Sequence, residues 1–252
     1  MSRRRRLDAE LVRRGLAVSR TQAAEAIDAK RVLVNGTLAD KSSRQVDPAD
    51  AITLQGPPAR FVSRGGDKLD AALDAFAIDV RGLRVLDAGA STGGFTDCLL
   101  QRGAAAVVAL DVGHGQLHPR IRDDHRVVVL ERYNVREVSA GDLGGPVDAV
   151  VADLSFISLK RVIEALVGVC TAGAPLVLLV KPQFEAGRQE VSKGRGVITD
   201  PAIHDRVVAE IDAALHDVGC TVHGWMDSPL TGAEGNREFL VHATAPEQGS
   251  SS

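Results

Sequence analysis

The sequence predicts a doubly wound α/β sheet preceded by a small, basic α+β domain, and three observations carry that reading. Short apolar runs alternate with longer helical patterns from Leu83 onward, as buried parallel strands joined by crossover helices do. The first of those runs empties into a glycine-rich turn. Charge divides unevenly about Arg64: residues 1–64 hold 13 Lys and Arg against 7 Asp and Glu, a net +6, while the remainder carries −9. A length of 252 residues suits two modest domains.

In the basic head, Leu7 and Leu11 share a helix face, and Gly15 ends that helix. Ser19 with Gln22 makes a capping-box start for a second helix running to about Ala29. Arg31-Val-Leu-Val-Asn-Gly36 then gives a short strand and a hairpin turn, with a further strand from Ala51 to Leu54. Gln55-Gly-Pro-Pro-Ala-Arg60 has linker chemistry, because glycine and consecutive prolines break both helix and ladder. The expected division is therefore a head over 1–59, a linker over 60–66, a body over 67–246 and a disordered tail over 247–252. A basic head on an acidic body points to a polyanionic partner, since phosphate contacts supply most non-specific affinity.

The body's strands are expected at Arg84–Leu86, Ala106–Leu110, Val127–Leu130, Val147–Ala152 and Pro175–Val180. Pro201–Val218 reads as a long amphipathic helix, and Cys220–Met226 with Glu238–Ala243 as a closing antiparallel pair. The glycine-rich turn runs Leu86-Asp-Ala-Gly-Ala-Ser-Thr-Gly-Gly-Phe-Thr96 and opens a helix. Glycines there let the backbone approach a ligand, while Asp87 and the helix start offer polar partners. Asp111 closes the second strand 18 residues past Gly93, where a carboxylate can accept both hydroxyls of a ribose. Together these define an adenosyl site.

Several classes are excluded or disfavoured by composition. The longest nearly apolar stretch, Ala165–Val180, is broken by Thr171 and Pro175 and is too short for a spanning helix. Asp8 and Glu10 follow the Arg3–Arg6 run where a signal peptide needs apolar residues. Cys98, Cys170 and Cys220 are odd in number and widely spaced, which suits a reducing cytoplasm and argues against disulfides or a thiolate metal site. Six Phe, one Tyr and one Trp are too few for a broad stacking platform, so nucleic acid must be held by charge. His114 and His118 stand four apart, but no Glu follows the first and Gly113, Gly115 and Pro119 disfavour a helix; loop or RNA-facing roles are expected, and no metal.

Chemistry should sit beyond the carboxyl ends of the fourth and fifth strands. There the chain reads Ala152-Asp-Leu-Ser-Phe156 and Val180-Lys-Pro-Gln-Phe184, placing a lysine directly at a strand end, where a largely buried ammonium needs a partner. Neither loop carries an Asn/Asp-Pro-Pro-aromatic sequence or a cysteine. Lys68 follows Ser63-Arg-Gly-Gly-Asp67 at the entry to the body, and Glu238 sits in Gly235-Asn-Arg-Glu-Phe239 at the start of the last strand.

These motifs resemble known families. Arg6-Leu-Asp-x-x-Leu11, Gly15, Ser19-Arg20, Ala23, Ile27, Val32 and Val34-Asn-Gly36 resemble the S4 RNA-binding domain, which implies RNA contacts from Arg3, Arg4, Arg5, Arg6, Arg13, Arg14, Arg20, Lys30 and Arg31, to which Arg64 is added. Lys30 departs from the glycine many S4 sequences carry before the strand. The turn after the first strand resembles the Asp-x-Gly-x-x-x-Gly-Gly motif of Rossmann-like S-adenosylmethionine-dependent methyltransferases rather than the dinucleotide fingerprint. Lys68, Asp153, Lys181 and Glu238 resemble the tetrad of ribose 2′-O-methyltransferases related to FtsJ. Their resemblance implies that Lys181 is the base or hydrogen-bond partner of the 2′-hydroxyl, that Asp153 and Glu238 hold it, and that Lys68 orients the ribose.

Both halves together, with Phe61-Val-Ser-Arg-Gly-Gly-Asp-Lys-Leu69, Asp111-Val-Gly-x-Gly-Gln-Leu117, Val151-Ala-Asp-Leu-Ser-Phe-Ile-Ser-Leu159 and Lys181-Pro-Gln-Phe-Glu185, resemble the TlyA family from Arg3 to about Ala243. That resemblance implies S-adenosylmethionine-dependent methylation of cytidine ribose in small-subunit and, in one subtype, large-subunit ribosomal RNA, and antibiotic susceptibility through the modification. It assigns Asp87, Gly89, Ser91, Gly93, Gly94, Phe95, Thr96, Asp111, Asn134 and Asp153 to the cofactor. Three other readings compete: a nicotinamide enzyme, a non-catalytic ribosome-assembly factor with a vestigial pocket, and a haemolysin, the label some family members carry. The last would need a membrane segment that the sequence lacks.

Overall fold

The computed structural model describes residues 4–17, 20–56, 59–187, 190–191, 196–232 and 235–247. Arg3, Ser19 and residues 248–252 of the expected tail lie outside the described residues. The chain divides into two units, Met1–Arg64 and Gly65–Ser252. A helix begins at Gly65, so the last two residues of the expected 60–66 linker belong to the second unit.

The first unit carries β1 (Arg5–Arg6), α1 (Leu7–Arg13), α2 (Arg20–Asp28), β2 (Val32–Val34), β3 (Thr37–Leu38), β4 (Gln45–Val46) and β5 (Ile52–Leu54). Leu7 and Leu11 of α1 and Ala23 and Ile27 of α2 recur at helical spacing and are completely buried with Val32 and Val34. Strand β2 is central, antiparallel to β3 and β5. Asn35 and Gly36 both take positive φ, 52° and 78°, the conformation that a two-residue hairpin demands. Gly15 ends α1 at φ 70°. The equivalent position after α2 falls to Lys30 at φ 55°, whose amide bonds the Ile27 carbonyl while Arg31's bonds that of Ala26. Lys30 thus takes a left-handed conformation that glycine adopts without strain.

The second unit opens with α3 (Gly65–Ala75) and builds one sheet from β6 (Arg84–Ala88), β7 (Ala106–Asp111), β8 (Val127–Glu131), β9 (Ala149–Ala152), β10 (Pro175–Val180), β11 (Thr221–Asp227) and β12 (Phe239–Thr244). Its order is β11-β12-β10-β9-β6-β7-β8, parallel except for β12, which runs antiparallel between β10 and β11. The connecting helices are α4 (Gly94–Gln101), α5 (Pro119–Arg122), α6 (Ala140–Leu143), α7 (Ile163–Gly168), α8 (Pro182–Glu185) and α9 (Pro201–Asp217). Every residue of β9 is buried, as expected where helices cover both faces. The fourth strand is shorter than its apolar run: Val147 makes only an isolated bridge with Cys170. Asp200 caps α9 by accepting a bond from the Ala202 amide at 2.9 Å.

Candidate active site and nucleic-acid interface

Register decides what meets at the carboxyl edge of the sheet. Val180 pairs with Phe239 across the β10–β12 seam, and Ala152 pairs with Leu178 and with Ala88. The next residues outward are therefore Lys181, Glu238, Asp153 and Gly89. Lys181 Nζ lies 2.5 Å from Asp153 Oδ1 and donates to Ser155 Oγ at 3.0 Å. Lys68 reaches in from α3 and donates to Glu238 Oε2 at 2.5 Å, both side chains buried. The expectation that Asp153 and Glu238 both hold Lys181 is corrected: the four residues form two ion pairs. Each largely buried ammonium takes its own carboxylate, as desolvation requires.

The glycine-rich turn is bound to the end of the neighbouring strand. The Gly89 and Ala90 amides both donate to the Leu110 carbonyl, at 2.8 and 3.1 Å. Asp111 accepts from the Ser91 amide through one carboxylate oxygen, at 2.7 Å, and from the Gly113 amide through the other, at 2.6 Å. Gly89 has φ 87°, and a Cβ there would stand 2.4 Å from the Asp153 carbonyl oxygen; only glycine lets the turn lie this close to the β9 loop. Beneath the turn, Asp87 is fully buried, accepts from the Thr96 hydroxyl at 2.6 Å and leaves Oδ1 without a partner among the described residues. Burial pushes its carboxyl up to about 7, against the pull of the Thr96 hydrogen bond and with the help of the Asp153 charge.

Between the loops after β6, β7, β8 and β9 lies a cavity of about 500 Å³, within the range of small-molecule sites. Of the residues expected at the cofactor, Gly89, Ser91, Asp111, Asn134 and Asp153 line it. Gly93, Gly94, Phe95 and Thr96 are buried in the turn into α4, and Asp87 lies below it; the first turn of α4 points into the core instead of the cavity. Asn134 accepts from the Arg136 amide and donates to Glu137 at 3.0 Å. The residues fit an adenosyl group: a glycine cradle that a Cβ would fill, a carboxylate at the end of β7, and apolar walls from Leu110, Val135 and Ile157.

Gln116, Tyr133, Ser155 and Phe156 also line the cavity and were absent from the expected set. Phe156 is 91% exposed at φ 65°, its ring 5.2 Å from that of Phe184 in the neighbouring loop. A large exposed aromatic in a left-handed conformation is invisible to a periodicity analysis. Glu185 joins the same two loops by accepting from Ser158 Oγ at 2.5 Å and from the Leu159 amide at 2.7 Å. His114 bonds Glu131 in a loop, and His118 caps α5 by accepting from the Arg120 amide; neither is on a helical metal face.

In the first unit, Arg4, Arg5, Arg6, Arg13, Arg20 and Lys30 are exposed, and Arg14, Arg31 and Arg64 are half-buried. Arg14 donates to Glu10 and to the carbonyls of Asp50 and Pro48, so its fork is committed to joining α1 to the turn before β5, and Arg31 likewise donates to the Gln55 carbonyl at 3.1 Å.

Comparison with known proteins agrees with this geometry. The FtsJ-like methyltransferase family matches residues 61–245 and the S4 domain residues 5–52. The 16S/23S rRNA (cytidine-2′-O)-methyltransferase TlyA of Mycobacterium tuberculosis is 53% identical over 242 residues, 96% of this chain and 90% of that one. A solved structure from Streptococcus thermophilus, named a hemolysin, superposes with a TM-score of 0.78 at 39% identity, covering 98% of this chain and 90% of that one. An S-adenosylmethionine-dependent methyltransferase from Mesorhizobium loti shares the fold at 17% identity, with a TM-score of 0.52 over 69% of this chain and 96% of its own. Fold and site thus define an FtsJ-like methyltransferase with an S4 domain. Within that class, the chain belongs to the TlyA family. Among the described residues no helix is long and apolar enough to cross a membrane.

Proposed function

We propose that this chain methylates the ribose 2′-hydroxyl of cytidine in ribosomal RNA of the small subunit and also of the large, with S-adenosylmethionine as methyl donor, in the cytoplasm. The Lys181–Asp153 pair beside an adenosyl-shaped cavity is the observation that carries this reading. The relative named for 16S and 23S cytidine 2′-O-methylation supports the substrate.

When bound, S-adenosylmethionine supplies an electrophilic methyl group on a sulfonium. Gly89, Ser91, Asp111, Asn134 and Asp153 would hold it. A ribose hydroxyl is a weak nucleophile and must be oriented and relieved of its proton. Lys181, held between Asp153 and Ser155, points its amine at the acceptor oxygen as base or hydrogen-bond partner of the hydroxyl. Lys68, fixed by Glu238, orients the ribose and stabilises negative charge developing on the oxygen. The first unit holds the RNA backbone through its arginines.

The test is transfer of labelled methyl from S-adenosylmethionine to purified ribosomal subunits by wild type and Lys181→Ala, followed by alkaline hydrolysis. Lys181-dependent label in an alkali-resistant dinucleotide is expected from both subunits. Label that survives Lys181→Ala removes that residue from the mechanism. An absence of label on either subunit, with cofactor binding retained, favours an assembly factor.

A further inference from the structure

Two carboxylates are buried in the middle of the most basic part of the chain. Asp8 and Glu10 are 4% and 1% exposed on α1, a placement that acidic side chains rarely adopt without partners. Asp8 accepts the Nε and Nη2 donors of Arg6, at 3.1 and 3.0 Å, and Nη2 of Arg20 at 2.8 Å. Glu10 accepts Nε and Nη2 of Arg13, at 2.7 and 2.5 Å, and Nε of Arg14 at 2.8 Å, with Arg5 at 3.7 Å. Five arginines on two carboxylates leave a net of three positive charges. Arg6, Arg13 and Arg20 each spend one edge of the guanidinium on a carboxylate, and Nη1 of each makes no bond among the described residues.

We propose that Asp8 and Glu10 are positioning residues that fix Arg5, Arg6, Arg13 and Arg20 as a rigid face for the phosphates of RNA. This inference rests on the RNA-binding reading of the first unit and adds the acids to it. A free arginine surrenders side-chain entropy when it meets a phosphate; an arginine already held along one edge by a buried carboxylate has surrendered it on folding. Both acids remain ionised at any working pH: the forks of Arg6 and Arg20 overcome burial at Asp8, and that of Arg13 does so at Glu10, leaving each carboxyl at about 2.

The sign of the effect separates positioning from charge. Counting charge alone, Glu10→Gln or Asp8→Asn adds one positive charge and should tighten RNA binding. Positioning demands the reverse. The experiment is fluorescence anisotropy of the full chain with a labelled double-stranded RNA hairpin across a salt series, with thermal unfolding as the control for folding. About threefold to tenfold weaker binding is expected of each variant; equal or tighter binding by a folded variant overturns the proposal. Arg13→Lys, an exposed change that keeps the charge and loses the fork, decides the matter if the acid variants do not fold. It is expected to bind at least about threefold more weakly, and wild-type affinity would overturn the proposal. Failure of wild type to bind the hairpin would remove the RNA-binding reading itself.

Discussion

Val180 stands opposite Phe239 across the antiparallel seam between β10 and β12, and that pairing brings Lys181 and Glu238 side by side to the edge of the sheet. They are not ion-paired with each other. Lys181 turns toward Asp153 at the end of β9 and Glu238 toward Lys68 from α3, so the edge holds two ammonium groups in fixed and separate positions.

Glu238 is the counter-charge that lets Lys68 remain buried. Glu238→Gln is expected to lower stability by about 3 kcal/mol, the order found when one partner of a buried pair is removed. Thermal unfolding measures it. The double variant Lys68→Met/Glu238→Leu should regain most of that stability and no methyl transfer, which separates the structural share of the pair from its chemical share.

Ser155 holds Lys181 by one hydrogen bond from the ammonium, and Asp153 remains when it is removed. Ser155→Ala should therefore reduce kcat by about tenfold through misplacement of the amine, with KM for S-adenosylmethionine changed less than about twofold. A steady-state series in cofactor checks both numbers. An unchanged kcat would show that Asp153 alone orients the lysine.

Asp87 makes stability depend on pH. Its folded carboxyl, pushed up to about 7 by burial, ionises near 4 in the unfolded chain, so the folded state holds the extra proton between those values. Its favourable contribution is complete below about pH 4 and is lost as the pH rises through 7. Asp87→Asn, which cannot ionise, should show a smaller fall in Tm between about pH 5 and pH 8 than wild type. Parallel declines would place the pH dependence in other groups.

Lys30 occupies a left-handed position that glycine adopts without strain. Lys30→Gly is expected to stabilise the first unit by about 1 kcal/mol while removing one positive charge from the set proposed to face RNA. Denaturant unfolding of the full chain should show the transition of the first unit moving to higher concentration, with the salt slope of RNA binding reduced by about one. A shift to lower concentration would mean that the lysine side chain contributes more than its backbone costs.

Much of the second unit was legible because each strand announces itself. Arg84–Ala88 and Pro175–Val180 are buried runs bounded by turn residues, and the pattern needs no knowledge of what lies beside them. Lys181 could be singled out from its place at a strand end. Its pairing could not: the resemblance implied that both Asp153 and Glu238 hold it, and only the tertiary structure divided the four residues into two pairs. Likewise Gly93 to Thr96 read as cavity wall from their motif, whereas α4's first turn faces the core. Phe156 lies in the Ala152-Asp-Leu-Ser-Phe156 loop where chemistry is expected, but neither periodicity nor charge marks one exposed aromatic there as cavity wall.

The sequence by itself determined the basic character of residues 1–64, the glycine turn and the main strands of the second unit, because these follow from local periodicity, turn chemistry and charge, while resemblance to known families supplied the candidate tetrad. Only the tertiary structure decided that Lys68 pairs with Glu238 and Lys181 with Asp153, that Asp87 is sealed beneath the turn, and that Arg14 serves the fold while its neighbours face outward. The physical reason is register. Ion-pair partners 170 residues apart are chosen by how strands and helices align in space, and a side chain's burial is set by neighbours that its own segment does not encode.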